Sequence, residues 1–326
     1  MRRKAVYPPK RYDDPMDLRL TSIIRSSSRA MPRAVNILGV PYDGAVLGRR
    51  GASGGPEGLR QALAGFSNYS VELEVGLEGA RIFDMGDMLV GGGDVERVHG
   101  RIQREVLQVL KKDSLLVIFG GDNSVSLPAL RAASRKFGKI GLVVVDSHLD
   151  LRGKIGGRPT SGSSYGLAIE TVGGLDGRRV AEVGIHGFLN SRKYVEKAEG
   201  LGVSILTADK VRRSGAKRAA GLAYEIASEG ADAVYLSVDL DAVDTGFVTG
   251  VSAPSSGGIS AAELVEFVSE IGTREKVRCA DFVELAPSLD PTGRSQIVGA
   301  TAFVGLVAGF LVLGVGGEPT GRRRKA

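Results

Sequence analysis

Short apolar runs alternate along the chain with stretches whose apolar residues recur at helical spacing. Residues 142–145, Leu-Val-Val-Val, are unbroken and mostly β-branched, the pattern of a strand buried on both faces. Comparable runs occupy 35–40, 81–84, 115–119, 180–185, 203–206, 233–238 and 277–283. Between them the period changes. Residues 94–112 place Val98, Ile102, Val106, Leu107 and Leu110 on one face behind Asp94 as N-cap. Pro56 suits the first turn of a helix over 57–64, and Pro128 falls early in a helix after Ser124. Thr207 caps a long helix reaching about residue 228, and Ser260 with Glu263 forms a capping box. An apolar helix over 300–313 closes the pattern. Strand and helix alternate with no repeat of 20–50 residues, so one doubly wound α/β domain over 35–316 is predicted.

Charge refines this picture at the ends. The net charge is +6, yet residues 1–34 carry nine Lys/Arg against three Asp, and 317–326 carry four against one Glu. The body between is therefore mildly acidic, and a basic nucleic-acid-reading domain is not implied. Residues 1–34 read as a basic N-terminal extension, peripheral and dispensable for chemistry, with one short helix near 17–25. Residues 317–326 read as a basic C-terminal tail. Hydrophobic content of 43% and charged content of 25% are ordinary for a globular protein. The most apolar stretch, 302–315, is too short and too interrupted by glycine to span a bilayer, and no apolar signal core opens the chain. One cysteine, Cys279, excludes an internal disulfide and suits the cytoplasm.

The chemistry is concentrated where strands stop. After 142–145 come Asp146, His148 and Asp150, which share one side in extended backbone. By itself such a triplet reads equally well as a solvated strand edge. A second run, 233–238, also ends in carboxylates, Asp239 and Asp241, followed by Asp244. Carboxylates converging at parallel strand C-termini are costly unless a cation sits among them, and that edge is where α/β sheets bind ligands. The set is oxygen and imidazole without thiolate, which suits hard divalent ions. Asp122 and Asn123 lie at a third strand end. The Gly/Arg-rich loop 48–56 lacks phosphate-loop spacing.

Four blocks, GGDNS (120–124), DSHLDLR (146–152), SVDLDAVD (237–244) and VELAP (283–287), resemble the ureohydrolase superfamily, which contains arginase, agmatinase and formimidoylglutamase. The opening loop 39–60 is similar too. The resemblance implies a three-layer α/β/α sandwich with a mainly parallel sheet and two Mn2+ ions. It implies Asp146 and Asp239 as bridging ligands, His148 and Asp241 at one ion, and Asn123 and Asp150 at the other. Such a pair of ions, roughly 3.5–4 Å apart, activates water for attack on a poorly electrophilic amidine or guanidine carbon. Asp150 and Glu284 are the implied catalytic residues, Glu284 holding the cationic nitrogen of the substrate. A homo-oligomer, trimer or hexamer, is also implied, with a small-molecule partner and no membrane.

Two departures from the superfamily pattern narrow the expectation. Asn123 stands where most members have histidine, which weakens one metal position. Ser161 stands in the loop where arginases and agmatinases carry a proton-shuttling imidazole. Formimidoylglutamases resemble this chain in having Ser-Gly there and arginine in the opening loop. Arg49 or Arg50 would then meet a glutamate carboxylate, unless both are solvated loop charges. The expected activity is hydrolysis of formimidoyl-glutamate to glutamate and formamide. Release of urea from agmatine or arginine is the alternative within the superfamily. A catalytically impaired member serving as a binding or assembly protein is the alternative outside catalysis.

Overall fold

The computed structural model describes residues 2–8 and 14–314, so the tail at 317–326 lies outside the described residues. In chain order the elements are β1 (Arg2–Arg3), β2 (Ile24–Ser26), β3 (Val35–Gly39), α1 (Gly55–Leu63), β4 (Tyr69–Ser70), β5 (Val75–Gly76), β6 (Ile82–Met88) and α2 (Val95–Val109). There follow β7 (Leu115–Phe119), α3 (Ser126–Phe137), β8 (Ile140–Val145), α4 (Ser164–Thr171), β9 (Leu175–Ile185), α5 (Arg192–Gly200) and β10 (Ser204–Thr207). The last are α6 (Ala208–Ser214), α7 (Ala216–Ser228), β11 (Ala233–Asp239), α8 (Ala261–Gly272), β12 (Val277–Val283) and α9 (Arg294–Val312).

Among the described residues one 10-stranded sheet runs β1-β6-β3-β7-β12-β11-β8-β9-β10, with β2 also on β6. All pairings are parallel except β1 with β6. Side-chain alternation along β8 shows why both faces are covered: Val143 and Val145 enter one core, Leu142 and Val144 the other. The first core lies under α1 and α6 to α9, the second under α2 to α5. Three layers result, as expected for this fold class.

The buried helix α9 shows how the outer layer closes. It is long and apolar enough to cross a membrane by length and composition, but it is mostly buried within the fold. It packs so tightly on α8 that a Cβ on Gly309 would lie 2.2 Å from the Ser269 carbonyl oxygen. Only glycine permits that approach.

Three local expectations change. Residues 17–25 form no α-helix. A 3₁₀ turn at Leu20–Ser22 buries Leu20, and β2 then joins the sheet. The described part of residues 1–34 is thus an edge of the sheet, because β1 and β2 pair with the two ends of β6. The single helix after Thr207 is two helices, broken at Gly215, whose φ of +82° a helix does not accommodate. Helices α4 and α5 were not predicted, since their glycine, serine and charged residues mask a weak apolar period.

Candidate metal centre

Four adjacent strands, β7, β12, β11 and β8, run parallel and end on the same edge of the sheet. β7 leads to Asn123, β8 to Asp146, His148 and Asp150, β11 to Asp239 and Asp241, and β12 to Glu284. The turn after β7 depends on Gly121. Asp122 donates its N–H to the Tyr42 carbonyl at 2.7 Å, and a Cβ on Gly121 would come within 1.6 Å of that oxygen. Two side chains leave their strands through left-handed backbone, Asp150 at φ +46° and Glu284 at φ +64°. Such strain costs roughly 1 kcal/mol or more per residue and tends to be kept at functional sites.

Three of the expected ligands, Asp146, His148 and Asp241, come together. One donor atom from each of Asp146, His148 and Asp241 lies within 4.8 Å of the others. His148 Nδ1 is 3.2 Å from Asp241 Oδ2 and 3.5 Å from Asp146 Oδ1. Ser147 donates from Oγ to Asp241 Oδ1 at 2.7 Å, and Asp239 Oδ1 accepts the Asp241 N–H at 2.9 Å. Asn123 joins from the far side: its Nδ2 donates to Asp150 Oδ2 at 2.6 Å. Its Oδ1 is engaged by Ser126 Oγ at 3.1 Å and Tyr165 OH at 3.0 Å. Asn123 therefore offers Asp150 a donor, and its oxygen reaches the cluster only if the amide turns over.

The electrostatics of the cluster favour a cation. Burial raises the pKa of Asp146, with repulsion from Asp241 and Asp150 added. Burial raises Asp239 as well, followed by Asp241 and Asp146. Asp150 is pushed up to about 6, chiefly by burial. Burial opposes the charged form of His148, but the bond and charge of Asp241 outweigh it and carry the imidazole to about 9. Asp241 falls below its usual range because His148 and Ser147 overcome its burial. Asp146 Oδ2 is buried without a hydrogen-bond partner. A divalent cation fits this set: it would replace protons that now offset the charge, and it would satisfy that oxygen.

Glu284 lies beside the cluster. Its Oε1 accepts the Asn123 N–H at 2.6 Å, while Oε2 is buried with no partner. Burial, then repulsion from Asp122, pushes it up to about 8. A buried, half-satisfied carboxyl at a strand end suits a cationic group on a ligand.

The loop residues divide differently from their sequence pattern. Arg49 donates to the Val251 carbonyl at 2.6 Å and the Thr249 carbonyl at 3.0 Å, which braces the opening loop. Arg50 is exposed and within electrostatic reach of Tyr42, as is Arg158. Ser161 Oγ accepts the Leu47 N–H at 3.1 Å, and its own N–H donates to the Ala45 carbonyl at 2.9 Å. His99 is buried against Ser124 and His186 bonds Ser255, so neither enters the cluster.

Sequence reasoning missed a supporting layer. Asp281, in the middle of β12, accepts from Ser237 at 2.6 Å, Tyr235 at 2.7 Å and Ser126 at 2.8 Å. Tyr165 OH lies 2.9 Å from Ser237 Oγ, which links this layer to Asn123. Glu182 in β9 is fully buried, and neither carboxyl oxygen has a partner. The available signal was an acid inside each apolar run, at 182 and 281.

Known proteins resemble this chain in sequence and fold. The model for the arginase family matches residues 33–308. The formimidoylglutamase of Halobacterium salinarum is 36% identical over 280 residues, covering 84% of this chain and 87% of that protein. The crystal structure of formimidoylglutamase from Bacillus subtilis matches with a TM-score of 0.86 at 26% identity, covering 92% of this chain and 94% of that one. Trypanosoma cruzi formiminoglutamase, solved with Mn2+, matches with a TM-score of 0.81 at 28% identity, covering 90% and 98%.

Proposed function

The chain belongs to the arginase family, and on that premise we propose that it is a manganese-dependent hydrolase converting formimidoyl-glutamate to glutamate and formamide. One observation carries the reading: a carboxylate–imidazole cluster fit for divalent cations lies against a buried carboxyl, Glu284, that keeps an oxygen unpartnered. Asp146, His148, Asp150, Asp239 and Asp241 would hold two manganese ions, with Asn123 either turning its amide to become a sixth ligand or fixing Asp150. When bound, the ions supply Lewis acidity, easing loss of a proton from water and offsetting charge that develops during attack.

The residues of the chain supply the rest. Glu284 receives the cationic nitrogen of the formimidoyl group on its free oxygen. Water oxygen attacks the formimidoyl carbon, the bond from that carbon to the glutamate nitrogen breaks, and Asp150 relays a proton from the water to the departing nitrogen. Asp150 stands in the cluster itself, its Oδ2 facing Asn123 Nδ2 at 2.6 Å, which places it for the relay in a loop that has Ser161 in place of imidazole. Arg50 and Arg158, on the side of Tyr42, favour a substrate bearing carboxylates. Arg49 supports the loop that carries Arg50.

A cytoplasmic homo-oligomer, trimer or hexamer, belongs to the same proposal, and sedimentation of the purified chain tests it. The deciding experiment measures manganese content together with glutamate, formamide and urea release. Formimidoyl-glutamate turnover without urea is expected. Urea from agmatine or arginine, with formimidoyl-glutamate untouched, overturns the substrate. A loaded protein inert to all three is the binding or assembly protein instead.

A further inference from the structure

The far edge of the sheet, where strands begin, holds a second concentration of charge. A cleft of about 610 Å³ opens there between the C-terminal ends of α3 and α4 and the starts of β8, β9 and β11. It is lined by Arg131, Arg135, Lys139, Gln103 and Thr171, with Asp232 as its one carboxylate. β8 spans Ile140–Val145 between this cleft and Asp146. At about 3.3 Å per residue that puts the cleft roughly 20 Å from the metal cluster.

Arg131 and Arg135 are one helical turn apart on α3, so their side chains share a face, and Lys139 follows just past the helix end. Like charges at this spacing destabilise a helix unless something answers them. Glu96 is within electrostatic reach of Arg131 alone, and Asp232 Oδ2 accepts the backbone N–H of Lys139 at 2.8 Å. Among the described residues none of the three cationic side chains forms an ion pair, and Arg131 makes one hydrogen bond, to the neutral Thr171 hydroxyl at 3.1 Å. Basic residues in a last turn commonly complement the helix dipole, and Arg135 fits that account. Arg131 does not, because it sits in mid-helix and is half-buried. Access is open, since a Cβ added to Gly173 in the wall would meet nothing within 4 Å.

We propose that this cleft is a binding site for a small dianion carrying a phosphoryl group, held by the guanidinium forks of Arg131 and Arg135 and the ammonium of Lys139. Three cations face one carboxylate in the lining, and Glu96, the other acid near Arg131, is paired with Lys154 at 2.6 Å, so a net positive charge remains for a phosphoryl dianion, whose oxygens guanidinium forks match. The site is separate from the hydrolytic centre and takes a different class of ligand.

The test is calorimetric titration of the full-length, manganese-loaded chain with inorganic phosphate, in chloride buffer at fixed ionic strength, with glutarate as a second probe. Expected is phosphate binding at about 1 mM or tighter, weakened about tenfold or more in Arg135→Gln/Lys139→Gln, with glutarate much weaker. Both side chains are exposed, so the pair should fold, and circular dichroism with manganese content checks that. Arg131→Gln alone should weaken binding too. Equal phosphate binding by wild type and the double variant overturns the proposal, because phosphate then sits elsewhere, including at manganese. No binding above the chloride baseline, or a preference for glutarate, overturns it as well.

Discussion

Asn123 donates its side-chain N–H to Asp150 Oδ2 at 2.6 Å, and its oxygen is held in turn by Tyr165 and Ser126. The amide therefore orients one of the carboxylates meant for metal. Partners of metal ligands typically contribute about 10–100-fold in affinity. Asn123→Ala should weaken manganese binding by about that factor while leaving the fold intact. Asn123→His supplies an imidazole and should tighten it. Titration calorimetry reads both, and equal manganese affinity in all three proteins would show that Asn123 plays no part in the centre.

Glu284 is pushed up to about 8, chiefly by burial, so its carboxyl is protonated over much of the neutral range. Binding a cationic nitrogen requires the carboxylate. The sign follows: kcat/KM should rise with pH as Glu284 ionises, and the limb should move to lower pH as manganese loading adds positive charge nearby. Glu284→Gln keeps the shape and removes the charge. Losing one member of a buried charge pair costs about 2–5 kcal/mol, so kcat/KM should fall on the order of 10²-fold or more. A pH–rate profile unchanged in Glu284→Gln would remove this residue from the substrate site.

The fold class and the convergence of Asp146, His148 and Asp241 were legible for a shared reason. Parallel strands buried on both faces give unbroken apolar runs, and the carboxylates that end them stand out against that background. The family implied by the four blocks is the one whose model matches the chain. Residues inside those runs were less legible. Asp281 and Glu182 occupy apolar strands, and only the third dimension shows that one has three hydroxyl donors and the other none. Arg49 was unreadable for a related reason. An arginine that donates to two backbone carbonyls has the same sequence signature as one that meets a ligand.

Glu182 should make stability depend on pH. Burial raises its pKa well above the ordinary value, and neither oxygen finds a partner. A carboxyl raised in the folded state stabilises fully below the unfolded pKa, and that contribution is lost as pH rises through the folded one. Glu182→Gln does not titrate. The two proteins should melt together near pH 4, and the variant should be more stable at pH 8 by about 1–3 kcal/mol. Thermal melts at the two pH values decide it, and a constant difference in Tm would mean that the Glu182 pKa is not raised in the fold.

The last prediction concerns the N-terminal segment, expected from sequence to be dispensable. Tyr7 donates its hydroxyl to Asp84 Oδ2 at 2.5 Å, and the same carboxylate is clamped by Arg60 at 2.8 and 3.0 Å. Arg60 also reaches Asp87 at 2.5 Å and lies over the Phe119 ring at 5.8 Å. This buried knot joins α1 and β6 to the segment before β2, while Arg2 adds a bond to Glu105 on α2. Breaking a buried ion pair from one side costs about 3–5 kcal/mol, so Arg60→Met should lower Tm sharply. Tyr7→Phe removes one charge-assisted hydrogen bond and should cost about 1–2 kcal/mol. Deleting residues 2–8 should cost at least as much as Tyr7→Phe, since it also strips β1 from the edge of β6. Denaturant melts measure all three. A deletion as stable as the full chain would restore the view that this segment is only an appendage.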